Sequence, residues 1–280
     1  MASQSEWSGD LGRTWGAWTQ VMDRMLAPFG DVAMQRLGKV RGKMVLDLGC
    51  GAGETACELA LRVGSTGTVV GVDISEDLIS LASKERDAKK AENLALLCAD
   101  ASKLSLGSPA DALYSRFGAM FFDKPADAWA RLRANLAPRA RASIICWRTF
   151  KENPWALVPY SAAADLLPAI DPPPPGAPGP FAWGVPEKSV FPVLEGSGWQ
   201  KVKVKKVDRV LTLGPGMGGD PLEDAVDHAL AIGPVASRAS TLPAAAKRKV
   251  RARVKEALSQ HMEDGAVRLK GACWLVRARA

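Results

Sequence analysis

Met44-Val45-Leu46-Asp47-Leu48-Gly49-Cys50-Gly51-Ala52-Gly53 is the stretch that decides the fold of this 280-residue chain. Its first five residues are a short apolar run with one carboxylate, and three alternate glycines follow at once. Residues 54 to 63 have helical character and stop at Gly64, where glycine adopts a left-handed cap at least cost. Strand, glycine turn and helix in that order bring backbone N–H groups close to a ligand at a helix N-terminus.

The same rhythm continues downstream. Residues 68 to 72 are β-branched and closed by Asp73, and Ser75 is placed to cap a helix running to about Lys90. Residues 94 to 98 read as a third strand ending at Ala99-Asp100, and residues 112 to 115 as a fourth. A helix over 125 to 136, with Trp129, Leu132 and Leu136 on one face, precedes a fifth strand over 143 to 147. Strands alternating with helices imply a parallel sheet with right-handed crossovers, covered on both faces. The expected class is therefore α/β, a Rossmann-like doubly wound sheet.

Upstream, Trp15, Trp18, Met22, Met25, Leu26 and Phe29 recur at intervals of three and four, which predicts an amphipathic helix ending near Gly30. Downstream, residues 171 to 180 are too rich in proline for helix or central strand and are expected as an extended surface segment. A helix is expected around 186 to 195, a strand over 200 to 213, and a helix from Asp220 to about Ile232, with Asp220 and Glu223 resembling a capping box. A further helix over roughly 242 to 262 and a last strand over 267 to 277 complete the reading. The domain plan is a helical cap over 1–40, a core over 41–147, a Pro-rich lid over 148–186, and returning core strands over 187–280 with a helical insertion at about 214–264.

With 47% hydrophobic residues the chain can build a core unaided. Cys50, Cys57, Cys98, Cys146 and Cys273 are odd in number and contain no C-x-x-C pair, so neither disulfides nor a zinc site is expected. Residues 1 to 7 lack the basic start and apolar core of a signal peptide, and no stretch is long enough to span a membrane, which predicts a soluble, cytoplasmic protein. A homodimer is compatible with this composition. The net charge of +7 raises the question of a nucleic-acid partner. However, Lys201, Lys203 and Lys205 alternate with Val202 and Val204 as on a half-exposed edge strand. Lys247, Arg248, Lys249, Arg251, Arg253 and Lys255 share a helix with Val250, Val254 and Leu258 at helical spacing. Both clusters read better as solvated faces than as a nucleic-acid surface.

Gly49-x-Gly51-x-Gly53 brings its third glycine one position earlier than the dinucleotide pattern G-x-G-x-x-G. Asp47 sits at the strand end where a pyrophosphate would lie, and two like charges there repel. A ligand carrying an ammonium group reverses the sign, as S-adenosylmethionine does. The alternative for Asp47 is a strand-end carboxylate bonded to backbone. Asp73 closes the second strand, where an acid can accept ribose hydroxyls of any nucleoside. Asp100, with the Ala101 amide, could meet an adenine edge, or simply cap a turn.

These residues resemble a known family. Residues 45–53, then Val70-Gly71-Val72-Asp73-Ile74-Ser75, then Ala99-Asp100-Ala101 are similar to the first three motifs of class I S-adenosylmethionine-dependent methyltransferases, nearest the ubiquinone and menaquinone group. The resemblance implies a seven-stranded sheet whose last strand is antiparallel. It also implies that Asp47, Gly49, Cys50, Gly51 and Ala52 hold the methionyl part, Asp73 and Ile74 the ribose, and Asp100 and Ala101 the adenine. Ser115 matches a position that commonly faces the cofactor. Leu136-Ala137-Pro138-Arg139-Ala140 departs from the family's Pro-Gly-Gly turn, and the connection from Asp100 to Ala112 is short for a full helix.

The region after the fourth strand lacks the Asn/Asp-Pro-Pro-aromatic motif of exocyclic-amine methylation, and Cys146 lacks the preceding proline of a cytosine-directed nucleophile; it reads as core. The expected acceptor is therefore a small, apolar or aromatic metabolite methylated on O, N or C, with nucleic-acid methylation and nicotinamide-dependent oxidoreduction as rivals. Trp15, Arg116, Trp155, Tyr160 and Trp183 are candidate pocket residues, with core packing as the alternative for the aromatics. Of the two histidines, His228 is the candidate base for an oxygen acceptor, and a satisfied surface histidine is its alternative.

Overall fold

A computed structural model describes residues 7, 9–169, 174, 176–214 and 219–280. Residues 170–173 and 175 of the expected proline-rich segment lie outside the described residues.

Two helices open the chain, α1 (Asp10–Ala17) and α2 (Thr19–Leu37). Then come β1 (Met44–Leu48), α3 (Glu54–Val63), β2 (Thr68–Asp73), α4 (Glu76–Ala88), β3 (Leu94–Cys98), β4 (Ala110–Arg116), α5 (Pro125–Ala134) and β5 (Leu136–Trp147). The second half holds α6 (Pro154–Ala162), α7 (Val190–Gly196), β6 (Gln200–Leu213), α8 (Pro221–Ala231), α9 (Pro234–Ala239), α10 (Ala244–Ser259), β7 (Met262–Glu263) and β8 (Ala266–Arg279). The strand order is β3-β2-β1-β4-β5-β8-β6, with the two-residue β7 paired on β8. β1 to β5 are mutually parallel, and β8 runs antiparallel between β5 and β6. This is the doubly wound sheet with an antiparallel last strand that the motifs imply. Consecutive buried residues in β1, β4 and the second half of β5 mean that helices cover both faces there.

Several boundaries differ from expectation, each for a physical reason. The N-terminal helix is two helices that meet at Trp18, and the second continues through Gly30 to Leu37. Gly30 does not end it, because its carbonyl accepts a bond from the buried Tyr114 hydroxyl at 3.2 Å, which clamps α2 to β4. The helix expected over 125 to 136 stops at Ala134, and Leu136 already belongs to β5. Where the family would turn on glycines, Arg139 takes φ 67° and the β4–β5 register shifts between Ala110 and Ala112. The helix expected near Pro186 begins only at Val190, and the one expected over 242 to 262 is confined to Ala244–Ser259. The short connection after Asp100 holds a single 3-10 turn, Ala101–Lys103.

Asp220 caps α8 through the amides of Leu222 and Glu223, both at 3.0 Å. Glu223 does not complete a box; it pairs with Arg251, at 2.5 Å, and Lys255 of α10. With Asp227 also on Arg251, part of the basic helix is neutralised within the chain. β6 is an edge strand, and Lys201, Lys203 and Lys205 stand exposed on it. Among the described residues no helix is long and apolar enough to cross a membrane.

Candidate active site

The strand order reverses between β1 and β4, and ligands of doubly wound sheets bind beyond the carboxyl ends of the strands at that point. Here the ends of the two strands touch. A Cβ added to Gly49, at φ 68°, would lie 2.8 Å from the Gly118 Cα, so only glycine fits. One step on, a Cβ on Gly51 would meet nothing within 4 Å, so the turn faces open space there.

Two carboxylates flank that space. Asp73 accepts the Gly51 amide on Oδ2 and the Ser75 amide on Oδ1, both at 3.0 Å, and so ties the glycine turn to the end of β2. Each oxygen keeps a lone pair for a further donor. Burial raises its pKa, and the amide bonds oppose the rise. Asp47 is fully buried; its Oδ2 accepts from the Thr55 hydroxyl at 2.7 Å, and its Oδ1 has no partner among the described residues. Burial pushes its pKa up to about 7, with Thr55 and Arg116 pulling the other way. A buried carboxylate with an unused oxygen next to a second acid favours a cation and disfavours a phosphate. These residues fit a nucleoside with a positively charged tail.

The remaining expected cofactor contacts divide. Cys50 is buried against Gly71, while Ala52 and Ile74 are half-buried beside the open face. Asp100 caps the 3-10 turn, accepting the Ser102 amide at 2.9 Å, and lies 3.3 Å from Lys103 Nζ, while Ala101 is buried beside it. Ser115 corrects the expectation: it is fully buried, and its hydroxyl donates to the Leu48 carbonyl at 2.8 Å, tying β4 to β1 instead of facing a ligand.

Helix α1 crosses over this end of the sheet. Gly12 lies against Ser75, where a Cβ would be 2.4 Å from Oγ, and Trp7 packs edge-on against both Trp15 and Phe121, at 5.3 and 5.2 Å. The helix therefore reaches from the segment after β2 to the segment after β4, and Trp15 is part of that cover. Arg116 is engaged by two carboxylates, Asp23 of α2 at 2.5 Å and Glu54 of α3 at 2.6 Å. This ion triad joins α2 to the first residue after the glycine turn; the guanidinium is a tie and not an open pocket wall. Burial raises Asp23 to a pKa of about 6 despite the guanidinium.

Beyond β4 and β5 lies a cluster of buried rings. Phe117 stacks on Trp147 at 4.4 Å, Trp147 tilts on Trp155 at 4.9 Å, and Phe29 meets both Phe117 and Trp147. Tyr160 sits at the outer side of α6 under the Arg238 guanidinium. Trp183 does not touch these rings: it packs on Trp129 at 5.4 Å, and Trp129 also meets Phe122 and Trp199. His228 is buried, 1% exposed, beside Trp18 and Met22, so it is not the surface histidine of the alternative reading. Burial lowers its pKa to about 4, and no neighbouring charge counters it.

Sequence reasoning missed Thr55, Phe117, Gly118 and Met22. Thr55 alone left a signal, since the second residue of the helix after a glycine turn returns over the end of the strand that carries Asp47. The others are brought together by tertiary packing.

Residues 39–140 match the family described as a methyltransferase domain. The chain is 36% identical over 107 residues to an aklanonic acid methyltransferase of Streptomyces sp. (strain C5), covering 37% of this chain and 48% of that protein. It is 44% identical over 59 residues to a 2-phytyl-1,4-naphtoquinone methyltransferase of Trichormus variabilis, covering 21% and 26%. The chain thus spans half or less of the length of these curated relatives. A solved S-adenosylmethionine-dependent methyltransferase from Aquifex aeolicus superposes with a TM-score of 0.50 at 21% identity, over 74% of this chain and 94% of that one, a likeness of fold.

Proposed function

We propose that the chain, whose residues 39–140 match a methyltransferase domain, transfers a methyl group from S-adenosylmethionine to an O, N or C nucleophile of a small apolar or aromatic metabolite. The observation that carries this reading is the pair of acids at the glycine turn, the buried Asp47 with an unused oxygen and the half-buried Asp73 bonded to the Gly51 amide. The names of the two relatives, a phytyl naphthoquinone and aklanonic acid methyltransferase, support an acceptor of that class.

When bound, the cofactor supplies a methyl carbon made electrophilic by its sulfonium. Asp47 and the turn Gly49, Cys50, Gly51 and Ala52 take the methionyl end, where the carboxylate faces the ammonium. Asp73, with Ile74 beside it, accepts the ribose hydroxyls, and Asp100 with Ala101 borders the adenine. Helix α1, fastened by Trp7, Trp15 and Phe121, excludes water from above. Phe117, Trp147 and Trp155 form the apolar side from which the acceptor approaches. Orientation and dehydration then supply most of the acceleration, since the displacement needs the nucleophile in line with the methyl carbon.

Titration of S-adenosylhomocysteine and of NADH into the folded protein tests the reading. Saturable micromolar binding of the first, with the fluorescence of the second unchanged, is the expected result. The opposite pattern would make the chain a nicotinamide-binding protein.

A further inference from the structure

The turn that ends at Gly53 decides what lies behind Asp47. Gly53, at φ 93°, packs against Ala82 of α4, where a Cβ would be 2.9 Å from the Ala82 Cα, so α3 starts at a fixed place. The second residue of α3 is Thr55, which is buried, and its hydroxyl donates to Asp47 Oδ2 at 2.7 Å. A hydroxyl carries one hydrogen, and this one is spent on the carboxyl. Asp47 Oδ1 is left without a partner among the described residues.

The other groups facing Asp47 do not hold it in this way. Arg116 from β4 favours its charge without bonding it, since the guanidinium bonds Asp23 and Glu54. Asp73 from β2 opposes that charge, and burial opposes it most. Tyr114 from β4, Cys50 in the turn and Cys57 on α3 lie near it and are kept neutral by burial. Among the described residues Thr55 is therefore the hydrogen-bond donor on Asp47. A bond to an ionised acceptor is stronger than one to a neutral acceptor, so the hydroxyl favours the carboxylate.

We propose that Thr55 is a positioning residue for a cation at the glycine turn: its hydroxyl grips Asp47 by Oδ2 and favours the carboxylate, so that Oδ1 is the charged oxygen left for the ligand's ammonium group. Thr55 acts through Asp47 and not on the reacting atoms. Calling the ligand S-adenosylmethionine rests on the methyl-transfer reading; the hold of Thr55 on Asp47 does not. Valine has the branched shape of threonine and lacks the donor, so it separates the bond from the packing.

Carbon NMR of protein labelled in its aspartate carboxyls, with the Asp47 signal assigned from Asp47→Asn, tests the hold in the ligand-free chain. In the wild type that carboxyl is expected to titrate near its raised value of about 7. In Thr55→Val it should titrate about one pH unit higher, as the loss of one hydrogen bond to a charged group requires. Thr55→Ser, which restores the hydroxyl, should return it to the wild-type value. Calorimetry with S-adenosylhomocysteine then reads the consequence for a ligand that carries the ammonium. Wild-type affinity should rise about tenfold from about pH 6 to about pH 8.5 as Asp47 ionises. The valine variant should bind about tenfold more weakly at the lower pH and within about threefold of wild type at the higher. An unchanged Asp47 titration in the valine variant, a loss equal at both pH values, or no recovery with serine would each overturn the proposal, because a Thr55 that only packs would behave so. If the valine variant does not fold, the wild type decides, and an affinity that stays flat across that range overturns the proposal. Folded wild-type protein that binds no S-adenosylhomocysteine, with Asp47 still titrating higher in the valine variant, sinks the methyl-transfer reading and leaves the hold of Thr55 on Asp47 standing.

Discussion

At the ends of β1 and β2 the protein gathers acids against backbone amides, whereas beyond β4 and β5 it stacks buried rings, the last of which, Trp155, shares a cavity lining with His228. In both, burial drives one ionisable group toward its neutral form, with opposite consequences. Asp47 gains a proton and His228 loses one. A cation entering the first region restores the charge of Asp47 and is rewarded for it. A charge entering the second has nothing to meet it. The division matches a reaction in which a cationic donor and a neutral acceptor approach each other from two sides.

The largest effect that sharpens this division belongs to neither region. Trp183→Ala should destabilise the fold by about 3–5 kcal/mol, as large aromatic deletions in packed cores do, without altering ligand affinity in the folded fraction. Urea unfolding measures it, and a loss under about 1 kcal/mol would return Trp183 to the pocket. Next comes Gly49→Ala, which forces a Cβ to 2.8 Å from the Gly118 Cα at positive φ. Cofactor affinity should fall about a hundredfold, near 3 kcal/mol, by calorimetry. Trp155→Ala should leave that affinity within about threefold, well under the 1.4 kcal/mol of a tenfold change; an equal loss would mean that the two regions are one.

Asp47→Asn acts on the stability of the ligand-free protein. The carboxyl has a higher pKa folded, about 7, than its ordinary 3.8, so the folded state holds the extra proton between those values. Stability is therefore undiminished below about pH 4 and declines as pH rises through 7. The asparagine variant should gain about 2 kcal/mol at pH 8, gain little at pH 4, and bind the cofactor more weakly. Equal stability of the two proteins at pH 8 would mean that Asp47 is ionised without strain.

The two regions were also unequally legible in the sequence. The glycine turn, Asp47 and Asp73 lie within a single βαβ stretch, where residue type and spacing fix the local backbone and the backbone makes the site. Resemblance to a family position does not say which neighbour claims the Ser115 hydroxyl; the Leu48 carbonyl does. Gly30 looked like a helix stop because its carbonyl partner, Tyr114, is remote in sequence. Trp155 and His228 line one cavity, and His228 faces Met22, only in the folded chain, from α6, α8 and α2, so their spacing showed burial and nothing of the cavity. Arg116 read as pocket, and only the fold supplied Asp23 and Glu54 to occupy it.

Calorimetric titration of S-adenosylhomocysteine into the wild-type protein and into Asp73→Ala tests the central claim most directly. The account predicts micromolar binding that weakens about tenfold or more, at least 1.4 kcal/mol, when the carboxylate that accepts the Gly51 amide is removed. Absence of binding to the folded wild-type protein, or equal binding by both, would contradict it.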